Sequence, residues 1–352
     1  MMKEEHHQAV VIGAGVSGLS AAQRLREAGI GVIVLEKSRG LGGRSATRRM
    51  RVADGIEVPV DHGAQFFTAR DPRFAGQVSS WENSGICFPW VDDFGIWSHG
   101  RLQPADQQFH ATRYACPSGM NTIGRNLSEG LDVRREFQVS SVSLAGGLWK
   151  LSPDAYSNHT PIFAEEIFIS APVPQALALV GSFLSPEQRR VADGINFSSC
   201  IAVMARYNED QAHPSWKGIQ VRDPNSKLSW VGWDSSRRNA GTPGRIAVLH
   251  GSADFSSRWL AASREELQSA GRELLEEAAM VIGAWIANPL EIIVHRWRYA
   301  HAEGAGVPDG FLRAPGNPRL YLIGDGLNGG RVEGAWLSGH LAVEHRLTQP
   351  YA

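Results

Sequence analysis

An α/β fold in two domains is what this sequence predicts, and three observations predict it. An apolar strand at Ala9–Ile12 runs into Gly13-Ala14-Gly15-Val16-Ser17-Gly18, then a helically spaced stretch and a second apolar strand carrying Glu36. The chain closes on another apolar strand and a glycine-rich turn, Leu320–Gly326, followed by a final helix. Its 352 residues suffice for about two domains of roughly 150 residues each.

Composition narrows the classes of function. With 43% apolar and 20% charged residues, the chain can bury a sizeable core and is not a disordered sequence. A formal net charge of −1 removes the case for a nucleic-acid binder, which must neutralise many phosphates. Cys87, Cys116 and Cys200 lie far apart, so neither a dense disulfide framework nor a C-x-x-C metal or redox motif is expected. No apolar run is long enough for a membrane span, and the polar opening Met1–Gln8 is unlike a signal peptide. The expectation is a soluble, cytoplasmic protein with no membrane or nucleic-acid partner. The 38 glycines exceed the usual share of roughly 7% and point to loops that approach a ligand closely. Five lysines against thirty arginines leave little amine for chemistry.

The first elements follow from local pattern. Ala9–Ile12 lacks polar alternation and reads as a buried strand. Gly13 permits the tight turn, Gly15 lets backbone touch a pyrophosphate, and Gly18 lets helix and strand pack closely. Val16 and Ser17 open the helix, which continues over Leu19–Ala28; its free N–H groups and partial positive charge suit phosphate. Gly29 ends that helix and Gly31–Lys37 is the second strand. Glu36, 18 residues past Gly18, can accept hydrogen bonds from both ribose hydroxyls of an adenosine. Together these predict a Rossmann-type dinucleotide site that also includes Lys37. Gly42-Gly43-Arg44 offers a second approach to the pyrophosphate, which NAD-dependent dehydrogenases do not need.

The spacing from Glu36 to Gly42-Gly43-Arg44 resembles that of the flavin-containing amine oxidase superfamily. The resemblance implies an FAD-binding domain of the amine oxidase and p-hydroxybenzoate hydroxylase type. It also implies a smaller α+β substrate domain on a mixed or antiparallel sheet. The expected boundaries are 1-74, 116-173 and 313-352 for the FAD-binding domain, and 75-115 and 174-312 for the substrate domain. The C-terminal strand, Gly324-Asp325-Gly326 and the helix beginning near Val332 fit the same resemblance. It implies that Asp325 accepts a hydrogen bond from the ribityl or pyrophosphate region. It also implies that the helix N-terminus faces the flavin N1–C2=O edge, where reduced flavin carries negative charge. In relatives the backbone near Val139 touches the adenine, and Ala171–Pro174 resembles a crossing between domains.

Three further segments are narrower in their likeness. Val60–Phe74, His295–Ala300 and Gly329–Gly339 resemble renalase-like flavoproteins, including the bacterial ones. The resemblance implies that the backbone of Gly63, Ala64, Gln65 and Phe66 passes along the isoalloxazine ring. It implies noncovalent FAD, since the nearest cysteine, Cys200, lies 125 residues before Asp325. Arg331 stands where many amine oxidases carry a tyrosine of their amine cage. A cation there disfavours a protonated amine and suits an anionic or phosphate-bearing substrate. The implied activity is oxidation of the 1,2- and 1,6-dihydro isomers of NAD(P). Hydride passes to flavin N5, and O2 reoxidises the flavin, giving NAD(P)+ and hydrogen peroxide. A dihydropyridine is already a hydride donor, so the protein need only position it and stabilise reduced flavin.

The middle of the chain is less distinctive. Gln220–Trp233 and Arg245–His250 have strand composition, and Ser263–Ala284 is an amphipathic helix. On a strand at Ile292–Tyr299, Ile293, His295, Trp297 and Tyr299 share one face, and Arg296 and Arg298 the other. Trp297 is expected near the flavin ring. His250, Trp297, Arg298 and Arg331 are the candidate catalytic or substrate-contacting residues, and no metal site is expected. No lysine is clearly placed near the flavin, which argues against an amine oxidase; Lys227 is the one candidate for the oxygen-activating role that such lysines play in relatives. Three alternatives stay open: an amine oxidase, a non-redox flavin-dependent sugar-nucleotide mutase, and a flavoprotein that binds without turnover.

Overall fold

The apolar runs that frame the glycine turn become neighbouring parallel strands in the computed structural model, which describes residues 5–104 and 111–349. The outermost residues of the expected domains, and 105–110, lie outside the described residues. Glu5–Ile12 pairs in parallel with Val32–Glu36 on one side and Ile162–Ile169 on the other. Arg319–Leu322 and Asp132–Arg135 extend the parallel set. Val139–Ala145, Leu148–Pro153 and Leu312–Arg313 add antiparallel pairings, giving eight strands. Strands covered on both faces need no polar alternation, which is why Ala9–Ile12 reads as a continuous apolar run.

Register decides where the functional loops emerge. Ile12 lies beside both Leu35 and Ile169, and Ile169 lies beside Leu322. The turns after these four strands therefore leave the same sheet edge, at the carboxyl ends of parallel strands where α/β sheets bind ligands. The helix Val16–Glu27 and the final helix Arg331–Thr348 approach closely on this sheet. A Cβ on Gly339 would lie 2.1 Å from the Ser17 carbonyl oxygen, so only glycine allows the contact. Ser20 Oγ donates to the Trp336 carbonyl at 2.9 Å across the same pair.

The chain divides into two units, Met1–Ser45 with Ile123–Asn196 and Ala302–Ala352, and Ala46–Thr122 with Phe197–His301. The sequence reading put the crossings after positions 74, 115, 173 and 312. The first differs because Thr47–Ala53 and Ile56–Asp61 form a hairpin whose apolar face joins the second unit's core. The third differs because the prolines at 172 and 174 cap and open the helix Val173–Val180, a first-turn position that proline suits.

The second unit is a mixed seven-stranded sheet in the order Glu291–Ala302, Phe197–Tyr207, Arg245–Gly251, Leu228–Trp233, Gly218–Val221, Gly95–Ser98, Arg101–Gln103. The expected strand Gln220–Trp233 is thus two strands, because Asp223–Ser226 makes a turn. The helix Arg264–Ile282 starts at a capping box between Ser263 and Glu266. Its Leu267, Ala270, Leu274 and Ala278 cover one sheet face, over Val203, Ala205 and Leu249. The hairpin's Met50, Val58 and Val60 cover the other face, over Met204, Ile246 and Val248. No described helix is long and apolar enough to cross a membrane.

Candidate functional site

In the first unit the glycine turn forms a cradle whose walls are backbone. A Cβ on Gly18 would lie 2.1 Å from the Gly13 carbonyl oxygen and 2.6 Å from Ser170 Oγ, so this glycine serves helix packing. Gly15 differs: its Cβ would meet no protein atom within 4 Å. It is the N-cap of the helix Val16–Glu27, with no side-chain cap and no acidic residue in the first turn. The buried Ser17 Oγ has no hydrogen-bond partner among the described residues. An uncapped helix N-terminus, an orphaned hydroxyl and space over Gly15 fit a pyrophosphate.

The other cofactor candidates assemble around this cradle. The buried Glu36 carboxylate accepts from Ala14 N at 2.7 Å and from Ser38 N at 2.8 Å. It therefore holds the turn, a role that the ribose expectation did not include. Gly42 N donates to the Ala14 carbonyl at 2.8 Å, and a Cβ on Gly43 would lie 3.2 Å from Gly15 Cα. The Gly-Gly doublet thus rests directly on the turn. Arg44 and Asp325, expected to contact the cofactor separately, form a bidentate ion pair with N–O distances of 2.9 and 2.5 Å. Val139 is buried at the start of its strand. Lys37 Nζ donates to Gln175 Oε1 at 3.3 Å. Gly324 N donates to Ser338 Oγ at 2.9 Å, tying the Gly324-Asp325 turn to the final helix. That helix begins at exposed Arg331, whose φ is 67°; Gly330 caps it without a side-chain bond, and Val332 is buried.

In the second unit, alternation along the strands gathers a wall of rings. His62 follows Val60 on the hairpin's inner face; His250 follows Val248, and His295 and Trp297 follow Ile293 on the sheet. His62 stacks on Trp297 with ring centroids 5.3 Å apart and meets His295 edge-on at 4.7 Å. Trp297 Nε1 donates to the His62 carbonyl at 2.8 Å, which fixes the indole. Burial is the first cause that pushes these imidazoles down. His295 and Arg48 add to it for His62, reaching about 3. His301 and Arg237 add for His250, also to about 3. Arg48 and Arg296 add for His295, to about 4. All three rings are uncharged at neutral pH.

The segment after His62 is held by charges that the sequence reading missed. Asp61 Oδ1 accepts from Thr47 Oγ1 at 2.6 Å and Met120 N at 2.8 Å, and Oδ2 from Arg238 Nη2 at 2.8 Å. Asp234 binds both Arg237 and Arg238. Arg237 donates to the Gln65 carbonyl at 2.5 Å and to Gln65 Oε1 at 3.0 Å. Burial alone would raise the Asp61 carboxyl, but the two guanidiniums and its hydrogen bonds outweigh that and hold it below the usual range. These two acids and two arginines are buried and balance in charge. An aspartate followed three and four residues later by adjacent arginines was the signal available. Asp234→Ala leaves the two buried guanidiniums with one carboxylate, Asp61, between them. Its expected cost is about 3–5 kcal/mol, read as a lower urea midpoint.

The remaining candidates separate. The Gln65 side chain is consumed by Arg237 and by the Asp61 carbonyl at 2.6 Å. Phe66 packs on Phe94 and Trp230. What Gly63–Phe66 can offer a ligand is therefore backbone. Arg298 is exposed, while Arg296 donates to the Trp259 and Ala262 carbonyls. Lys227 Nζ, the one candidate for an oxygen-activating lysine, pairs with Glu273 on the surface helix at 2.8 Å. No group of three or more metal-ligating side chains occurs among the described residues.

Comparisons with known proteins bear on both units. Residues 11–80 match the NAD(P)-binding Rossmann-like domain family, and residues 84–345 match the family described as flavin containing amine oxidoreductase. The chain is 36% identical over 105 residues to (S)-6-hydroxynicotine oxidase of Paenarthrobacter nicotinovorans, covering 29% of this chain and 24% of that protein. It is 53% identical over 49 residues to the flavin-containing amine oxidase A of Sus scrofa, covering 14% of this chain and 9% of that protein. The matches thus span about a quarter of these curated relatives or less. In fold, a redesigned putrescine oxidase superposes with a TM-score of 0.73 at 13% identity, covering 99% of this chain and 100% of that one. Cyclohexylamine oxidase of Brevibacterium oxydans IH-35A gives 0.70 at 14%, covering 97% and 100%.

Proposed function

The chain belongs to the family of flavin-containing amine oxidoreductases, and from that premise we propose that this FAD-dependent enzyme is renalase-like. Its substrates would be the 1,2- and 1,6-dihydro isomers of NAD(P), oxidised to NAD(P)+. Bound FAD supplies the hydride acceptor and passes the electrons to O2, giving hydrogen peroxide.

The observation that carries this reading is the wall of His62, His250, His295 and Trp297. Its imidazoles are uncharged, and the charged neighbours that hold them so are arginines, Arg48, Arg237 and Arg296. Among the described residues no carboxylate acts on these rings to hold an ammonium group, and imidazoles held this far down are poor bases for taking a proton. A dihydropyridine needs neither, because it gives up hydride directly and becomes a pyridinium. The face of Trp297 favours that developing positive charge, and its bond to the His62 carbonyl means no reorganisation is needed as the charge forms. In the first unit, the cradle at Gly13–Gly18, Glu36, Gly42–Arg44 and Asp325 would hold FAD noncovalently. The uncapped helix start at Gly330–Val332 would stabilise negative charge on the reduced flavin. The exposed Arg331 suits a phosphate-bearing substrate.

An anaerobic titration with separated dihydro-NAD isomers tests the reading through the flavin's visible absorbance. Rapid bleaching by the 1,2- or 1,6-isomer, with 1,4-dihydro-NAD at least about 100-fold slower, is the expected result. Bleaching by simple amines alone would assign an amine oxidase instead. Bleaching by none of these donors would favour a mutase or a binding protein.

A further inference from the structure

We propose that Arg48 is the specificity-determining residue of the histidine–tryptophan wall, pairing with an anionic group, a phosphate, of the substrate. This inference deepens the function proposed above and rests on it for the nature of the ring that the phosphate accompanies.

Strand geometry places Arg48. It pairs with Val60 across the hairpin, as Met50 pairs with Val58, so the four side chains share the inner face. Met50, Val58 and Val60 are buried against Met204, Val248 and Ile293. One step further along each strand, the apolar contacts give way to Arg48, His62, His250 and His295. Arg48 is thus the residue at which the hairpin's apolar face ends and the ring wall begins. Unlike its inner-face neighbours it is exposed. It makes no ion pair among the described residues, whereas Arg237 and Arg238 in the same unit are each neutralised by buried aspartates. Its charge reaches both His62 and His295, consistent with a guanidinium at the rim of the wall.

An arginine that no carboxylate engages keeps its fork of donors available to an incoming oxyanion. Arginine binds phosphate bidentately, which lysine cannot reproduce. The uncharged rings beside it would receive an aromatic or dihydropyridine ring, while Arg48 would add affinity only for ligands that carry a phosphate at the matching distance.

The test is calorimetric titration of the FAD-loaded protein and of Arg48→Gln with NAD+ and with nicotinamide riboside, which has the same ring and no phosphate. The expected result is that Arg48→Gln weakens NAD+ by about 10–100-fold and leaves the riboside unchanged, with Arg48→Lys between. Equal loss for both ligands, or no loss for NAD+, overturns the assignment, as does a wild type that binds neither ligand. Equal flavin content and melting temperature in all three proteins exclude a folding defect. The dinucleotide reading is judged separately by the isomer titration. If no dihydro isomer reduces the flavin yet Arg48→Gln selectively loses NAD+, the redox reading falls and the anion site stands.

Discussion

Acidified from about pH 7 to about pH 5, the protein is expected to lose several kcal/mol of stability, well before carboxylates titrate. The cause is the ring wall. His62 and His250 are held down to about 3, and His295 to about 4, mainly by burial. In the unfolded chain each titrates near about 6.5. Below that value the unfolded state binds protons that the folded state refuses, so folding stability falls as pH falls. The loss begins near the unfolded value and continues until the folded rings themselves protonate, near about 3 to 4. Each histidine contributes roughly 2 kcal/mol of loss by about pH 5, since one pH unit corresponds to about 1.4 kcal/mol. Asp61 acts in the same direction at lower pH, because its carboxyl is held below the carboxylate range when folded. The measurement is the urea midpoint against pH, for the native protein and for His295→Asn. The substitution is expected to flatten the slope between about pH 6.5 and 5 by about one proton's worth. An unchanged slope would mean that His295 is not buried as a neutral ring.

The split between what was legible and what was not follows from the range of the interactions. The turn at Gly13–Gly18, the acid at Glu36 and the doublet before Arg44 are local signals, because each meets a steric demand set within a few residues. In the structure Gly18 packs against Gly13 and Gly43 against Gly15. Strand alternation likewise exposed the shared face of His295 and Trp297. The Arg44–Asp325 pair joins residues 281 positions apart, and nothing local in either motif says that they meet. The charge quartet was hidden for the same reason: Asp61 and Asp234 each look like ordinary polar residues until the fold buries them together. The unit boundaries were misplaced where a hairpin's apolar face, Met50, Val58 and Val60, found its core far along the chain. Lys227 is a candidate only because lysines are few, and scarcity says nothing about a partner such as Glu273.

The second large effect separates cofactor binding from folding at a single atom. Gly15→Val is expected to give a folded but colourless protein, with FAD affinity reduced about 100-fold or more. Its backbone sits at φ −75° and ψ 174°, an extended conformation that valine adopts readily. Its Cβ would meet no protein atom within 4 Å, so the protein itself does not oppose a β-carbon there. What the side chain fills is the space over the uncapped helix start, beside the orphaned Ser17 hydroxyl. A pyrophosphate pushed back from that position loses its short charge-assisted bonds to the helix N–H groups, which weaken steeply with distance. Gly18→Val is the contrast: its Cβ would overlap the Gly13 carbonyl oxygen at 2.1 Å, so fold and flavin should be lost together. The two are compared by flavin-to-protein absorbance ratio, far-ultraviolet circular dichroism and melting temperature with added FAD. If Gly15→Val keeps full flavin content, the cradle is not the pyrophosphate site. If it unfolds as Gly18→Val does, the glycine serves packing and not the ligand.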